Sequence, residues 1–248
     1  MNTWKLEIEY DGTRYRGWQE RHNERTIRGE LMNAARQLFA SKVEIAGAEG
    51  TDAGVHALKQ IAHLKASELQ EDVTPRMLMQ GFNDVLPYDI NILKVRNAPE
   101  DFHARKHVIA KQYLYKISTR RTAFDKNFVW WVKKELNTRK MQGAVKMLDG
   151  RHNFSSFCDI DDTAGKNSTV KVEHAEIFLD NDLICFRMMA DRFLWSMVRR
   201  IVAMLVEVGK GKFNDTNFQR LLKFPAKTPP EFVAPSSGLF LEKIYYKS

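Results

Sequence analysis

The chain has 248 residues and a formal net charge of +8, and 44% of its residues are hydrophobic. This length suits one large domain or two small ones. The hydrophobic fraction provides for a packed core and excludes an intrinsically disordered chain. The positive charge is consistent with a polyanionic partner, because a Lys or Arg that neutralises a phosphate releases a counterion. Many basic proteins bind no nucleic acid, so charge alone leaves the partner open.

The cysteines and the apolar segments of the sequence indicate the cellular compartment in which the protein is expected. Cys158 and Cys185 form no CxxC pair, so we expect a reduced, cytoplasmic protein without a disulfide framework or zinc cluster. Residues 1–12 contain no apolar segment typical of a signal peptide, and no apolar run is long enough to span a bilayer. We therefore expect no membrane partner.

The first hundred residues predict a βαββαβ arrangement. Alternating or continuous apolar patterns indicate strands at 4–10, 42–47, 60–66 and 90–98. Amphipathic patterns indicate helices at 26–40 and 75–86. Thr26 and Thr74 are suitable N-caps, and Pro75 suits the first turn of its helix.

The rest of the chain loosely repeats this order. Strands are predicted at 111–119, 171–180, 183–190 and 239–246, and helices at 137–150, 193–209 and 214–224. Gly150 and Gly209 are expected to end the first two of these helices. The sequence therefore predicts an α+β fold with two similar halves, 1–104 and 105–248, that share a mixed, mainly antiparallel sheet with a cleft between the halves.

A single carboxylate stands out in the loop that precedes the third predicted strand. Asp52 is surrounded by small residues in "EGTDAGVHA" (49–57), which would let a bulky ligand approach its carboxylate. His56 lies four positions later. We interpret it as a partly buried packing residue rather than as a metal ligand, because no third ligand is nearby.

Two other positions are candidates for a site. In the predicted helix 193–209, Arg199 lies in an apolar row with Trp195, whereas Arg200 is expected on a more solvated side. An arginine in an apolar row either pairs with an anion or extends its charged end to water. Tyr113 lies on a strand where packing is the default, but a tyrosine at a cleft edge can stack on a base.

The sequence predicts no metal site. His103, His107, His152 and Cys158 lack the spacing of metal ligands. The acidic stretch 159–165 lacks the later glutamate of a calcium loop, so we interpret it as a solvated turn.

Several motifs in order resemble the TruA-type tRNA pseudouridine synthases. They are "YDGTRYRGWQ" (10–19), "TDAGVHA" (51–57), "FNDVLPYDINI" (82–92), "DFHARKHVIAKQYLYKI" (101–117), "RHNFSSF" (151–157), "FLWSMVRRIVAMLVEVG" (193–209) and "SSGLFLEKI" (236–244). The resemblance implies the pseudouridine synthase fold with a central RNA-binding cleft, a homodimer, and no cofactor or metal. It also implies a substrate, the uridines of the tRNA anticodon stem-loop.

The resemblance also implies roles for individual residues. Asp52 corresponds to the catalytic acid, Tyr113 to the tyrosine that stacks on the flipped uracil, and Arg199 to the partner of that acid. Further substrate-binding positions are implied at Arg105, Arg14, Trp18, His56 and Leu239.

The chain departs from the family pattern directly before Thr51. The family has Gly-Arg there, and the arginine enters the space left by the flipped base. Glu49 and Gly50 occupy these positions here. Two hypotheses follow: an active RNA pseudouridine synthase, or a divergent synthase-like protein that binds tRNA or another structured RNA with lost or redirected activity.

Overall fold

The structure is a computed structural model that describes residues 2–39, 42–67, 73–159, 167–224 and 232–247. The chain forms two compact units. The first comprises Met1–Ile109 together with Leu241–Ser248, and the second comprises Ala110–Phe240. Both combine helices with mainly antiparallel strands, so the predicted mixed α+β class is confirmed. Among the described residues, no helix is both long and apolar enough to cross a bilayer.

The described residues of the first unit form two α-helices and a set of antiparallel strands. Its elements are β1 (Asn2–Tyr10), α1 (Ile27–Leu38), β2 (Val43–Gly47), β3 (His56–Ala66), α2 (Pro75–Val85) and β4 (Ile90–Asn97). The sheet order is β4–β1–β3, and β2 also pairs with β3. The pairs β1–β3, β1–β4 and β2–β3 are antiparallel.

The second unit carries the remaining elements. They are β5 (Val108–Ser118), β6 (Trp130–Trp131), α3 (Thr138–Val145), β7 (Gly150–Asn153), β8 (Thr169–Asp180), β9 (Leu183–Ala190), α4 (Met197–Gly209), α5 (Asp215–Lys223) and the first two residues of β10 (Leu239–Tyr246). The strand order is β5–β9–β8–β7, with antiparallel neighbours, and β6 pairs with β5 in parallel. From Leu241 onward, β10 belongs to the first unit, where it lies beside β3.

Two predicted helix starts are confirmed by their caps. The Thr26 side chain accepts a hydrogen bond from the amide of Gly29, and the Thr74 side chain accepts one from the amide of Met77. Each cap satisfies one of the amides that the first helical turn leaves without a partner.

Buried and partly exposed residues alternate along β1, so the sheet of the first unit has two different faces at this strand. Trp4, Leu6 and Ile8 are buried in the core, whereas Lys5 and Glu7 project from the opposite face and are partly exposed. This arrangement follows from the period of two in a strand. The second face of the sheet is therefore polar.

The prediction for the helix at 137–150 is wrong at its end. The helix α3 ends at Val145, and Gly150 instead begins β7. Gly150 has a φ of 101°, a conformation that glycine adopts without strain. Glycine often ends a helix because it adopts positive φ angles easily, and in this protein the same property lets Gly150 begin β7.

The prediction for the helix at 193–209 is wrong at its start. Ser196 has a φ of 59° and precedes α4, which begins at Met197. Trp195 therefore lies outside the helix and is 52% exposed. The supposed apolar row from Trp195 to Arg199 does not exist, because its first member is not helical.

The side of α4 that carries Arg200 is also not solvated as predicted. Ala203 and Glu207, which share that side, are buried, and the Arg200 side chain is 11% exposed. Helix α3 packs against α4, and the Glu207 carboxylate is paired with Lys210 and Lys212. The charge of Glu207 therefore does not indicate a solvated side of the helix, because this carboxylate is buried and paired with two lysines.

Candidate active site

The Asp52 turn connects β2 to β3. The carbonyl oxygen of Asp52 accepts a hydrogen bond from the amide of Val55 at 3.1 Å. Gly54 closes the turn with a φ of 75°, and its amide donates to the carbonyl oxygen of Tyr15 at 3.2 Å. Because β3 begins at His56 rather than at the predicted residue 60, the turn lies directly against the end of a strand. Asp52 is therefore carried by a short, hydrogen-bonded turn.

A second loop, residues 11–18, supports the Asp52 turn from one side. The amide of Trp18 donates to the carbonyl oxygen of Thr51 at 3.0 Å. Gly17 has a φ of 100°, and a Cβ there would lie 2.6 Å from the same oxygen. A Cβ on Gly12 would lie 2.0 Å from the carbonyl oxygen of Val55. Only glycine permits these approaches, and sequence reasoning missed both, although each glycine stands in the conspicuous motif at 10–19.

The side chain before Asp52 is anchored in the core. Thr51 is buried, and its Oγ1 lies 2.7 Å from the hydroxyl oxygen of Tyr10. Burial raises the pKa of Tyr10, so this hydroxyl stays protonated and can donate. The hydrogen bond ties the Asp52 turn to β1.

Trp18 belongs to the core in this structure. It is 1% exposed, and its ring packs so closely on Gly47 that a Cβ there would lie 2.5 Å from it. Its indole ring also lies 6.1 Å from the ring of Tyr10. Trp18 is thus a packing residue under the Asp52 turn, and its predicted contact with RNA stays a prediction.

His56 is also a supporting residue. It is 1% exposed, and its Nδ1 accepts a hydrogen bond from the amide of Gly12 at 3.1 Å. Asp11 Oδ1 lies 3.1 Å from the same nitrogen. His56 is thus more fully buried than predicted, and it joins the first residue of β3 to the loop 11–18.

Two of the predicted substrate-binding arginines are exposed. Arg14 donates a hydrogen bond to the hydroxyl oxygen of Tyr88 at 2.8 Å, and Tyr88 is itself exposed. Arg105 lies on a turn, where its amide donates to His103 Nδ1 at 3.2 Å. Both guanidinium groups are accessible to an RNA phosphate.

In the second unit, Tyr113 lies on β5. It is 6% exposed, and its ring meets the ring of Phe193 edge to face, with centroids 4.8 Å apart and an interplanar angle of 77°. Such a contact fixes the ring orientation. Phe193 lies in the segment between β9 and α4, so the tyrosine is held by the segment that leads to Arg199.

Arg199 is oriented by the segment before β10. Its Nε donates to the carbonyl oxygen of Ala234 at 2.7 Å, and the amide of Ala234 donates to the carbonyl oxygen of Arg199 at 3.2 Å. The hydroxyl of Tyr115 donates to the next carbonyl oxygen, that of Pro235, at 2.7 Å. Burial raises the pKa of Tyr115, whereas the positive charge of Arg199 lowers it. Leu239 follows as the buried first residue of β10.

Arg200 has a separate partner. Its Nη2 is paired with Asp159 Oδ1, and the hydroxyl of Ser196 donates to Asp159 Oδ2 at 2.8 Å. Asp159 is the one described residue of the acidic stretch 159–165; the remainder of that predicted turn lies outside the described residues.

Gly50 has room for a side chain. A Cβ there would meet only the Gln19 side chain, at 3.6 Å or more, which is an ordinary contact. Glu49 is held on the other side through its backbone, because its amide donates to Gln60 Oε1 at 3.3 Å and its carbonyl oxygen accepts from Gln60 Nε2 at 2.8 Å. Neither feature requires glycine at position 50.

In the part of the chain that the structure describes, no group of three or more His, Cys, Asp or Glu residues is placed to hold a metal ion. Cys158 and Cys185 are both buried, and neither takes part in a disulfide bond.

Comparison with known proteins gives a consistent result. A family model described as tRNA pseudouridine synthase matches residues 144–247. The chain is 35% identical to tRNA pseudouridine synthase A of Aquifex aeolicus, over 98% of this chain and 99% of that protein. It is also 35% identical to tRNA pseudouridine synthase A of Thermodesulfovibrio yellowstonii, over 98% of both chains. It is 34% identical to tRNA pseudouridine synthase A 2 of Bacillus cereus, over 99% of this chain and 100% of that protein.

Proposed function

This chain belongs to the TruA-type tRNA pseudouridine synthase family, and we propose that it isomerises uridine to pseudouridine in tRNA with Asp52 as its catalytic residue. The observation that carries the activity is the similarity to named synthases along nearly the whole chain. The placement of Asp52 on a braced turn among small side chains supports its role.

The reaction rearranges one nucleotide without adding or removing atoms. The bond between N1 and C1′ breaks, the uracil turns, and a bond forms between C5 and C1′. The proton that leaves C5 is balanced by the proton that N1 gains. No oxidant or reductant takes part. The protein has to hold the base, stabilise the detached uracil and move one proton.

A carboxylate can serve this reaction in two ways. It can attack C1′ as a nucleophile, or it can take up a proton from the sugar as the glycosidic bond breaks. In both routes Asp52 must be ionised and close to the sugar. The small neighbours Ala53 and Gly54 permit that approach. The hydrogen bonds of the turn hold the backbone of Asp52 in place.

We assign Arg199 the role of partner to Asp52, as the resemblance implies. An adjacent cation favours the ionised form of a carboxylate. The hydrogen bond from Nε to Ala234 supports the assignment, because it fixes the plane of the guanidinium. A fixed plane lets the remaining nitrogens bind a carboxylate without a further loss of side-chain freedom.

Tyr113 is assigned to the flipped uracil. The target base must leave its stack before the sugar is accessible, and a stacked aromatic ring recovers part of that free energy. The edge-to-face contact with Phe193 supports this role, since it restrains the orientation of the tyrosine ring before the base arrives. Arg14 and Arg105 are assigned to RNA phosphates because both are exposed cations.

The finer features of the proposal rest on the resemblance. They are a uridine target in the anticodon stem-loop, a homodimer and a cytoplasmic site of action. The two cysteines are not joined in a disulfide bond, which is compatible with a reducing compartment. Gly50 motivates the alternative of a non-catalytic RNA-binding protein, but the retention of Asp52, Tyr113 and Arg199 favours an active enzyme.

The test is direct. Purified protein is incubated with unmodified tRNA transcripts, and pseudouridine is mapped at single-nucleotide resolution. We expect conversion of one or a few uridines in the anticodon stem-loop. Complete absence of pseudouridine across a full set of tRNA transcripts would overturn the proposed activity. Conversion only outside the anticodon arm would retain the activity and overturn the proposed target.

A further inference from the structure

The polar face of the sheet in the first unit carries a concentration of positive charge. The charged residues that line a groove on this face are Lys5 and Glu7 of β1, Lys59 of β3, Lys94 and Arg96 of β4, and Lys243 of β10; Ile61 and Ile244 complete the lining. We call it the basic groove. Five cations and one carboxylate give its lining a formal charge of +4.

The register of the strands brings these side chains together. Lys5 lies opposite Arg96, and Glu7 lies opposite Lys94 in the antiparallel pair of β1 and β4. Directly opposite residues project from the same face and are close neighbours. The cations are therefore clustered by the sheet itself and do not depend on flexible loops.

The charges of the groove are poorly compensated within the first unit. Lys59 Nζ lies 3.9 Å from Glu7 Oε1, a weak and exposed pair. Among the described residues, Lys94 and Arg96 form no salt bridge, and both are exposed. Lys243 extends over the ring of Tyr245, with its Nζ 4.7 Å from the ring centroid. Three of the five cations are thus available to a partner.

Lys5 lies at the wall of the groove, where its surroundings disfavour its positive charge. Its Nζ lies 4.0 Å from the ring centroid of Tyr246 and 5.6 Å from that of Phe102. Burial lowers the pKa of Lys5, and the positive charge of Arg96 lowers it further. A row of like charges weakens the free protein unless a polyanion neutralises it.

We propose that the basic groove binds the sugar-phosphate backbone of the tRNA substrate, outside the target uridine. This proposal rests on the proposed function, which supplies tRNA as the polyanion. Charge complementarity is the argument for this occupant, because clustered Lys and Arg side chains attract phosphates whatever the base sequence. Contacts of this kind position a nucleic acid and carry no sequence information.

The experiment measures tRNA binding in an Asp52→Asn background, so that the substrate is not converted. The groove variant is Lys94→Gln/Arg96→Gln/Lys243→Gln. The control variant, Lys126→Gln/Lys140→Gln/Lys146→Gln, removes the same charge from exposed positions in the second unit. Affinity is measured between low and moderate salt. For the groove variant we expect weaker binding and a salt slope reduced by roughly 1 for each phosphate that the variant no longer neutralises. For the control variant we expect a change in slope well below that.

A second variant tests the opposite direction. Glu7→Gln removes the one carboxylate of the groove lining, so we expect tighter tRNA binding than in the parent protein. This substitution is on a partly exposed strand position and adds no bulk. Thermal melting and light scattering are recorded for every variant. Weaker binding is attributed to the groove only where the fold and the oligomeric state are retained.

The outcomes separate this proposal from the proposed function. If the wild-type protein modifies tRNA but the groove variant binds tRNA like the control variant, the basic groove is not an RNA site. If the groove variant changes the oligomeric state and not the affinity, the groove is an interface between protein chains and the proposal is overturned. If the wild-type protein forms no pseudouridine, the proposed function fails, while the binding measurements still decide whether the groove holds RNA.

Discussion

Arg199 and Ala234 are joined by two hydrogen bonds in opposite directions. The Nε of Arg199 donates to the carbonyl oxygen of Ala234 at 2.7 Å, and the amide of Ala234 donates to the carbonyl oxygen of Arg199 at 3.2 Å. The helix α4 and the segment before β10 therefore fix the guanidinium together. This relationship distinguishes Arg199 from its neighbour Arg200, which is paired with Asp159.

The first prediction compares these two arginines. Arg199→Lys keeps the charge but removes the planar group and its Nε hydrogen bond. We expect kcat to fall about 100-fold, which is typical for removal of one oriented electrostatic group. Arg200→Lys should leave kcat close to wild type, because lysine still reaches the carboxylate of Asp159, and should lower the melting temperature instead.

Tritium release from C5-labelled tRNA and thermal melting decide between the two roles. Equal losses of kcat in both variants would contradict a specific role for Arg199. A lower melting temperature for Arg199→Lys with an unchanged kcat would reduce Arg199 to a structural residue.

The second prediction concerns the brace beneath the Asp52 turn. Gly17→Ala places a Cβ 2.6 Å from the carbonyl oxygen of Thr51 at a residue with a φ of 100°. Backbone strain alone costs about 1–2 kcal/mol, and the clash must also displace the turn. We expect lower stability together with a reduced kcat.

Gly211→Ala is the matched control for this substitution. Gly211 has a φ of 75°, but a Cβ there would have nothing within 4 Å. It should incur only the backbone strain and leave kcat unchanged. If Gly17→Ala matches Gly211→Ala in both melting temperature and kcat, the close packing of the two loops does not position Asp52.

The third prediction concerns Gly50, where the family has an arginine. Unstacking a base costs a few kcal/mol, and about 1.4 kcal/mol is tenfold in rate. We therefore expect the wild-type protein to convert a loop uridine faster than a stem uridine of the same tRNA. Glu49→Gly/Gly50→Arg should narrow this gap, because position 50 has space for the side chain.

Single-turnover rates on matched loop and stem substrates test the role of Gly50. Glu49→Gly/Gly50→Met serves as the control, since methionine supplies length without charge. Both double variants keep the backbone hydrogen bonds of position 49 to Gln60. Equal wild-type rates on stem and loop uridines would show that the missing arginine is no handicap.

The fourth prediction is a pH dependence of stability that arises from His63. This residue is fully buried, and its Nδ1 accepts a hydrogen bond from the amide of Ala104 at 3.1 Å. Burial lowers the pKa of His63 below its ordinary value of 6.5, an effect larger than the opposing one of Glu44. As the pH falls, His63 therefore binds a proton in the unfolded chain before it does so in the folded chain. Stability is present above about pH 6.5 and is lost as the pH falls.

Melting temperatures between about pH 7.5 and about pH 5.5, on either side of the ordinary histidine pKa, test this dependence. His63→Gln should have a lower melting temperature at the upper pH but a shallower decline toward the lower one. His174→Gln is the control at an exposed histidine, and it should follow the wild-type curve. A decline in His63→Gln as steep as in the wild type would exclude His63 as the source.

Much of the fold was predictable where one local signal dominates. Thr26 and Thr74 cap helices as predicted, and the period of two in β1 indicated its buried face correctly. The hairpin between β8 and β9 turns at Asn181, which has a φ of 51°, as its Asn-Asp pair suggests. These elements are determined by neighbouring residues, which a sequence displays directly.

The errors occur where tertiary contacts decide. Gly150 resembles a residue that ends a helix, but it begins β7 instead, because it pairs with Val172 of β8. Arg200 looks solvated from helical spacing, yet Asp159, 41 positions earlier, covers it. The glycines that brace the Asp52 turn are not predictable from local pattern, because the partner backbone of Gly17 lies far along the chain. The basic groove has a visible signal, namely cations at alternate strand positions, but its concentration depends on strand register.

The central claim is that Asp52 performs the chemistry of uridine isomerisation. The measurement that tests it most directly is tritium release from C5-labelled tRNA by Asp52→Asn, with tRNA affinity and melting temperature recorded on the same preparation. We predict no release above background, with affinity and melting temperature close to those of the wild-type protein. Release at a rate near wild type by the well-folded variant would contradict the account.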